Sequence, residues 1–130
     1  CSRKRNRGNS EPMDVLFSEL KAWGADTDSA VRLVLGDKGF YYEKLSEFGE
    51  LKETELLKEA LEDKDYNRAF RIAHDLKGVT VTLGLMPLHY AAAAVTEDLR
   101  EGHHEDLFRD MEILLGEEAA FLKILSRRAV

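Results

Sequence analysis

Apolar residues recur at intervals of three and four positions along nearly the whole chain, which is the spacing of one face of a helix. The last segment shows the pattern most fully, with apolar residues at Leu107, Phe108, Met111, Leu114, Leu115, Phe121, Leu122 and Leu125. One segment, residues 79–83 (VTVTL), instead alternates in the manner of a strand. Because the backbone groups of a lone strand have no second strand to pair with, the sequence predicts an all-α protein.

Glycine, proline and aspartate mark where the helices begin and end. Asp26 and Asp37 stand where N-caps are expected, Pro87 suits the first position of a helix, and Gly24, Gly36, Gly49 and Gly102 stand where helices should stop. The first short helix is expected to run through Val31, Leu33, Val34 and Leu35, and the second to face inward with Phe40, Tyr41, Leu45 and Phe48. Short connections between long helices imply antiparallel neighbours. We therefore expect an antiparallel up-down four-helix bundle over about residues 50–127, preceded by additional short N-terminal helices.

The length and composition allow one domain. A chain of 130 residues that is 44% hydrophobic can form a single core, which we assign to residues 12–130. No apolar run approaches the roughly 18 residues that a membrane helix needs, so we expect no membrane insertion. The single cysteine, Cys1, excludes an internal disulfide and suits a reducing compartment. A cytoplasmic monomer is the expectation.

The charge is distributed unevenly. Residues 1–7 contain four basic and no acidic side chains, so residues 8–130 carry 15 basic and 25 acidic side chains, a net charge of −10. We expect residues 1–11 to form a flexible basic arm or linker. Because the rest of the chain is acidic, nucleic-acid binding would depend on that arm alone, and no nucleic-acid partner is expected.

The helix predicted over residues 66–83 presents a histidine to solvent. Its core stripe is Ala69, Ile72, Ala73, Leu76, Val79, Thr80 and Leu83. At about 100° per residue, His74 points about 170° away from the centre of that stripe. Around His74, on the same outer face, lie Asn67, Phe70, Arg71, Lys77, Gly78 and Val81. A face that combines cations, apolar side chains and a glycine is suited to binding a partner.

Gly78 is unusual within a helix, where glycine costs about 1 kcal/mol relative to alanine. One interpretation is that the helix ends at Lys77, Gly78 caps it and residues 79–83 form a strand. The other is that the helix continues, because the core stripe stays in phase beyond Gly78. In the second case Gly78 lies one turn after His74 on the same face, and its missing side chain leaves the imidazole accessible.

The string His74-Asp75-Leu76-Lys77-Gly78, followed by Leu83-Gly84-Leu85 and Leu88, resembles the His-x-x-Lys-Gly signature of histidine-containing phosphotransfer (HPt) domains. The resemblance extends over about residues 37–125. Val79 departs from it, because the family commonly has a small residue at that position.

The resemblance implies that His74 accepts a phosphoryl group from the aspartyl phosphate of a response-regulator receiver domain and passes it to another receiver. Lys77 would then stabilise the phosphoryl charge and Gly78 would provide clearance, while partner contacts would come from Asn67, Phe70, Arg71 and Val81. The partner, a receiver or a hybrid histidine kinase, would supply Mg²⁺, so no cofactor and no metal are expected on this chain. Such a phosphocarrier has no autonomous catalytic site, which leaves its status as an enzyme undecided.

Other functions fit parts of the same sequence. The chain could be the phosphoacceptor domain of a chemotaxis-type kinase, or a helical adaptor that binds a signalling partner through the same face without being phosphorylated. A metal-binding bundle would use His103, His104 and Glu105, with His89 as a distant further ligand. Adjacent histidines in a connecting loop are commonly solvated, which makes the metal-binding bundle the less favoured hypothesis.

Overall fold

Helices form all the regular secondary structure of residues 2–129, whose backbone the computed structural model describes; side chains are described for residues 13–126. The helices are α1 (Ser2–Trp23), α2 (Thr27–Leu33), α3 (Lys38–Glu50), α4 (Glu53–Glu62), α5 (Tyr66–Thr82), α6 (Met86–Glu101) and α7 (His104–Ala129). This range contains no strand, so the prediction of an all-α protein is confirmed.

Helices α4 to α7 form the predicted antiparallel four-helix bundle. Short turns connect them in order, α5 packs against both α4 and α6, and α6 packs against α7. The Thr54 hydroxyl on α4 donates a 2.6 Å hydrogen bond to Glu118 on α7, which joins the first helix of the bundle to the last. The fully buried side chains of the bundle include Leu57, Leu76, Leu88, Val95, Leu114 and Phe121.

The residues predicted to begin and end helices have the capping geometry expected of them. Asp26 accepts a hydrogen bond from the Ser29 backbone N–H at 3.1 Å and thereby caps α2. Asp37 caps α3 in the same way, through the Phe40 N–H at 3.0 Å. Gly102, with a φ of +74°, follows the last residue of α6 in the left-handed conformation that suits glycine.

The N-terminal helices are attached to the bundle at α7, which α1 and α3 both contact, and at the turn between α5 and α6. Helix α1 buries Leu16 and Leu20 and packs on α7, where the Trp23 indole donates a 2.9 Å hydrogen bond to Glu117. The second attachment is the turn between α5 and α6.

At that turn, the Tyr41 hydroxyl donates to the Leu83 carbonyl at 2.7 Å, and the Asp26 N–H donates to the Gly84 carbonyl at 2.7 Å. Gly84 has a φ of +73°, and a Cβ there would overlap the backbone carbonyl oxygen of Asp26. This turn therefore requires glycine for both its conformation and the close approach of the N-terminal segment.

Two inward positions and two helix ends predicted from the sequence are wrong. Phe40, predicted to face inward, is exposed. Helix α2 ends at Leu33 and does not run on through Leu35, where the chain turns with a φ of +58°. Helix α3 continues past Gly49 to Glu50. Val79, a member of the predicted core stripe of α5, is 42% exposed. Phe40 and Val79 both line the groove that lies between α2, α3 and α5.

Within the described residues, no helix is long and apolar enough to cross a membrane. The basic arm expected at residues 1–11 lies outside the residues whose side chains are described. That expectation, and the single domain assigned to residues 12–130, stay predictions.

Candidate functional site

Helix α5 passes through Gly78 without a break and ends at Thr82. Its buried face consists of Ala69, Ala73, Leu76 and Thr80, at helical spacing on both sides of Gly78. The Thr80 hydroxyl donates to the Leu76 carbonyl one turn earlier, at 2.8 Å, so its polar group is satisfied inside the helix. The continuous helix is therefore confirmed, and a strand over residues 79–83 is wrong.

His74 lies in the middle of α5 and is exposed, as its helical position predicted. The centre of its ring is 5.9 Å from the ring centre of Phe70, one turn earlier. Phe70 is half-buried, and the Arg100 guanidinium of α6 lies 5.7 Å from the centre of its ring, at cation–π distance. Arg100 thus adds a cation close to the histidine face. The pattern of α5 alone did not indicate it, because the side of α6 that Arg100 occupies depends on how the two helices pack.

Gly78 lies one turn after His74 and is exposed. A Cβ built at this position would meet no atom within 4 Å. No packing contact therefore requires glycine here, and Gly78 does not have the positive φ that would require it either. The space beside the imidazole is open on this side.

Lys77 is half-buried, and its backbone is fixed by the neighbouring helix. The Lys77 carbonyl lies 2.9 Å from Nδ1 of His89 on α6. Because a carbonyl only accepts, the Nδ1 of His89 must carry the proton. This bond joins α6 to α5 near His74, so His89 is a boundary residue with its hydrogen bond satisfied.

The two cations nearest His74 along α5 are available for a ligand. Lys77 follows His74 and Arg71 precedes it by about one helical turn each. Among the side chains of residues 13–126, neither cation has a salt-bridge partner. Arg71 is exposed.

The other predicted contact residues border the same face. Asn67 lies about two turns before His74 and Val81 about two turns after it, and both are exposed. The structure therefore places His74, Lys77, Gly78 and the four predicted contact residues along one outer side of α5. Phe70 and Lys77 are on the half of this face that adjoins α6.

On its other side, the face opens into an apolar groove of about 940 Å³ between α2, α3 and α5. His74, Asp75, Gly78, Val79 and Thr82 line it from α5. The residues that line it from the N-terminal helices and the segments that follow them are Ala30, Leu33, Val34, Phe40, Tyr41, Lys44, Glu47, Phe48 and Leu51. The sequence prediction missed this wall because it assigned Phe40 and the other apolar residues of α3 to the core.

Among known proteins, the chain has one family match. A family model described as the Hpt domain matches residues 51–126, more than half of the chain. No curated protein and no solved structure matches. The matched residues include all of α4, α5 and α6 and most of α7, and hence the helix that presents His74. The resemblance inferred from the string around His74 is thereby confirmed, and the chain belongs to the Hpt domain family.

Proposed function

We propose that this protein is a phosphocarrier in which His74 receives a phosphoryl group from one receiver-domain aspartate and passes it to another. Membership of the Hpt domain family supports a histidine phosphotransfer role in a phosphorelay. The observation that carries the assignment to His74 is its exposed position in the middle of α5, beside the open space at Gly78. His89, the other histidine near this face, is engaged with the Lys77 carbonyl.

In the transfer step this chain supplies the nucleophile, which is the imidazole of His74. The lone pair of the outward ring nitrogen, Nε2 in this family, forms the N–P bond. The P–O bond to the receiver aspartate breaks, and its electron pair leaves on the carboxylate. The second ring nitrogen keeps its proton throughout. Reversal of the same step on a second receiver regenerates the free imidazole, so the phosphoryl group passes between the two receivers without hydrolysis.

A phosphoryl group adds a charge of roughly −1.5 to −2 to the side chain that carries it. Lys77 and Arg71, one turn away on either side of His74, have no salt-bridge partner among the described side chains and are suited to neutralise that charge. Lysine acts here as a mobile point charge at the end of a flexible stem. The surrounding segment of residues 64–78 contains four basic and two acidic side chains within an acidic chain. This local excess of positive charge favours docking of an acidic receiver pocket.

The partner must supply the rest of the machinery. Phosphoryl transfer depends on positioning and charge stabilisation, and this sequence has no phosphate-binding glycine loop. In our proposal the receiver contributes Mg²⁺ and the aspartate. It would contact the exposed apolar side chains beside His74, among which are Leu33, Phe40 and Val79. A small contact surface suits a carrier that must release each partner after transfer.

The test is transfer from a phosphorylated receiver domain to the purified chain. We expect an acid-labile, alkali-stable label on the wild type, and no label on His74→Gln. His104→Gln is the matched control, because His104 is also exposed but lies at the start of α7. Both variants should unfold at the wild-type temperature.

A label that persists in His74→Gln would contradict the assignment. Failure of several competent receivers to label the wild type would favour the adaptor hypothesis. Labelling by an isolated kinase domain, but by no receiver, would indicate the phosphoacceptor domain of a chemotaxis-type kinase.

A further inference from the structure

A second cluster of ligand-type side chains lies at the turn between α6 and α7, on elements that do not carry His74. One ligand atom each from Asp98, His103 and Asp106 lies within 4.8 Å of the other two. Asp98 is in the last turn of α6, His103 is in the connection, and Asp106 is in the first turn of α7. Three residues from two helices and their turn therefore converge on one point.

The local backbone explains this convergence. The left-handed Gly102 reverses the chain, and the His103 N–H donates to the Asp98 carbonyl at 2.8 Å. The Asp106 N–H in turn donates to the His103 carbonyl at 3.1 Å. These bonds place the three side chains at the carboxyl end of α6, where the helix dipole favours positive charge.

Within the cluster, Asp98 has a buried carboxyl group with an unsatisfied oxygen atom. It is 7% exposed, and its Oδ2 is buried without a hydrogen-bond partner among the described residues. An unpaired buried carboxyl group costs free energy, which a bound cation or a proton would recover. The buried carboxyl group of Asp110 lies beside Asp98 and adds negative charge.

The neighbouring cation does not satisfy this carboxyl group. Arg109 lies 3.7 Å from Asp106 and 3.1 Å from Asp110, and its side chain is largely exposed. Its ion pairs are with Asp106 and with the buried Asp110. Among the described side chains, no cation lies within salt-bridge distance of Asp98, which is next to the exposed imidazole of His103.

We propose that Asp98, His103 and Asp106 form a binding site for a divalent transition-metal ion of the zinc class. Two carboxylates and one imidazole favour zinc over magnesium or calcium, which prefer oxygen ligands alone. In a tetrahedral zinc site neighbouring ligand atoms are about 3.3 Å apart. The three ligand atoms now lie within 4.8 Å of one another, and two of the three side chains reach the surface, His103 being exposed and Asp106 half-buried. Water would complete the coordination.

This site differs from the histidine cluster considered from the sequence. The ring of His104 stacks on Tyr66 with 4.2 Å between ring centres, and His89 is bonded to the Lys77 carbonyl. Neither joins the cluster. Asp98 could not be singled out from the sequence, since it is one of many acidic residues and only the turn geometry brings it to His103.

The experiment uses the metal-free full-length chain, titrated with Zn²⁺ and separately with Mg²⁺ in a calorimeter, with thermal unfolding measured in parallel. We expect one equivalent of Zn²⁺ to bind and to raise the unfolding temperature, whereas Mg²⁺ should do neither. His103→Gln and Asp98→Asn should each weaken Zn²⁺ binding by at least about tenfold. His104→Gln, at the adjacent position, should bind as the wild type does.

Absence of stoichiometric Zn²⁺ binding would overturn the proposal, as would binding that survives His103→Gln or is lost in His104→Gln. Unfolding temperatures without metal check that each variant folds. If Asp98→Asn does not fold, the comparison of Zn²⁺ binding between His103→Gln and His104→Gln, two exposed positions, tests the proposal. Because His74 is not involved, the outcome is independent of the phosphotransfer assay.

Discussion

Replacing Gly78 should separate stability from phosphotransfer. A glycine inside a helix costs about 0.5–1 kcal/mol relative to alanine, and a Cβ at Gly78 meets no atom within 4 Å. Gly78→Ala should therefore stabilise the fold by about that amount. For a chain of this size the gain corresponds to a rise of about 2–4 °C in the unfolding temperature. Gly78→Glu should be at least as stable as the wild type, because glutamate is also a good helix former.

Phosphotransfer should change in the opposite direction. In a helix, side chains four residues apart are about 6 Å from one another, so a glutamate at position 78 would face His74. With an effective dielectric constant of about 20, repulsion between two unit negative charges at that distance is about 3 kcal/mol, or about 100-fold in rate. We expect Gly78→Glu to slow transfer from a phosphorylated receiver by about that factor. Gly78→Gln, which adds bulk without charge, should slow it less.

Gly116 supplies the matched control. It also lies inside a helix and is exposed, and a Cβ placed there would meet no atom within 4 Å, but it belongs to α7. Gly116→Glu should raise the unfolding temperature without changing transfer. The measurements are single-turnover transfer of radioactive phosphate and thermal unfolding followed by circular dichroism. Wild-type transfer in Gly78→Glu would refute the idea that Gly78 provides clearance for His74. A fall in stability in Gly78→Ala would contradict the open space beside Gly78.

Three further predictions concern the fold and the charge at the site. Gly84→Ala should destabilise the protein by about 2–4 kcal/mol in chemical denaturation, because it combines left-handed backbone strain with overlap on the facing carbonyl oxygen. Gly102→Ala, with a similar φ but open space around the new Cβ, should cost about 1 kcal/mol. Equal losses of stability in the two variants would contradict this reasoning. Tyr41→Phe should cost about 1 kcal/mol in the same assay, since it removes a 2.7 Å hydrogen bond to the α5–α6 turn, and an unchanged midpoint would show that the bond contributes nothing. Lys77→Ala should slow single-turnover transfer by about tenfold, which is the equivalent of one charge-assisted contact. Arg71→Ala should slow transfer less, because Arg71 is more exposed than Lys77. A larger effect of Arg71→Ala than of Lys77→Ala would show that Arg71 makes the main contact with the phosphoryl group.

Local signals in the sequence were sufficient for the helices and for the exposed histidine. Asp26 and Asp37 cap helices as predicted, because capping depends on residues only three positions apart. The exposure of His74 follows from helical geometry once the buried face of α5 is known.

The errors occurred where packing between distant segments decides the outcome. Phe40 and Val79 are apolar residues at plausible core positions, yet they face a groove, because α2 and α3 leave a gap beside α5. Arg100 and Asp98 were missed for the same reason. Their importance arises from neighbours on other elements, which no periodicity within α6 can indicate.

The groove beside His74 has walls from two different parts of the chain. The wall on α5 belongs to the segment that matches the family model, whereas the wall from α2 and α3 precedes residue 51. Under the proposed function a docked receiver would therefore touch both stretches of sequence. Substitutions in α2 and α3 would then alter contacts with the partner without changing the helix that carries His74.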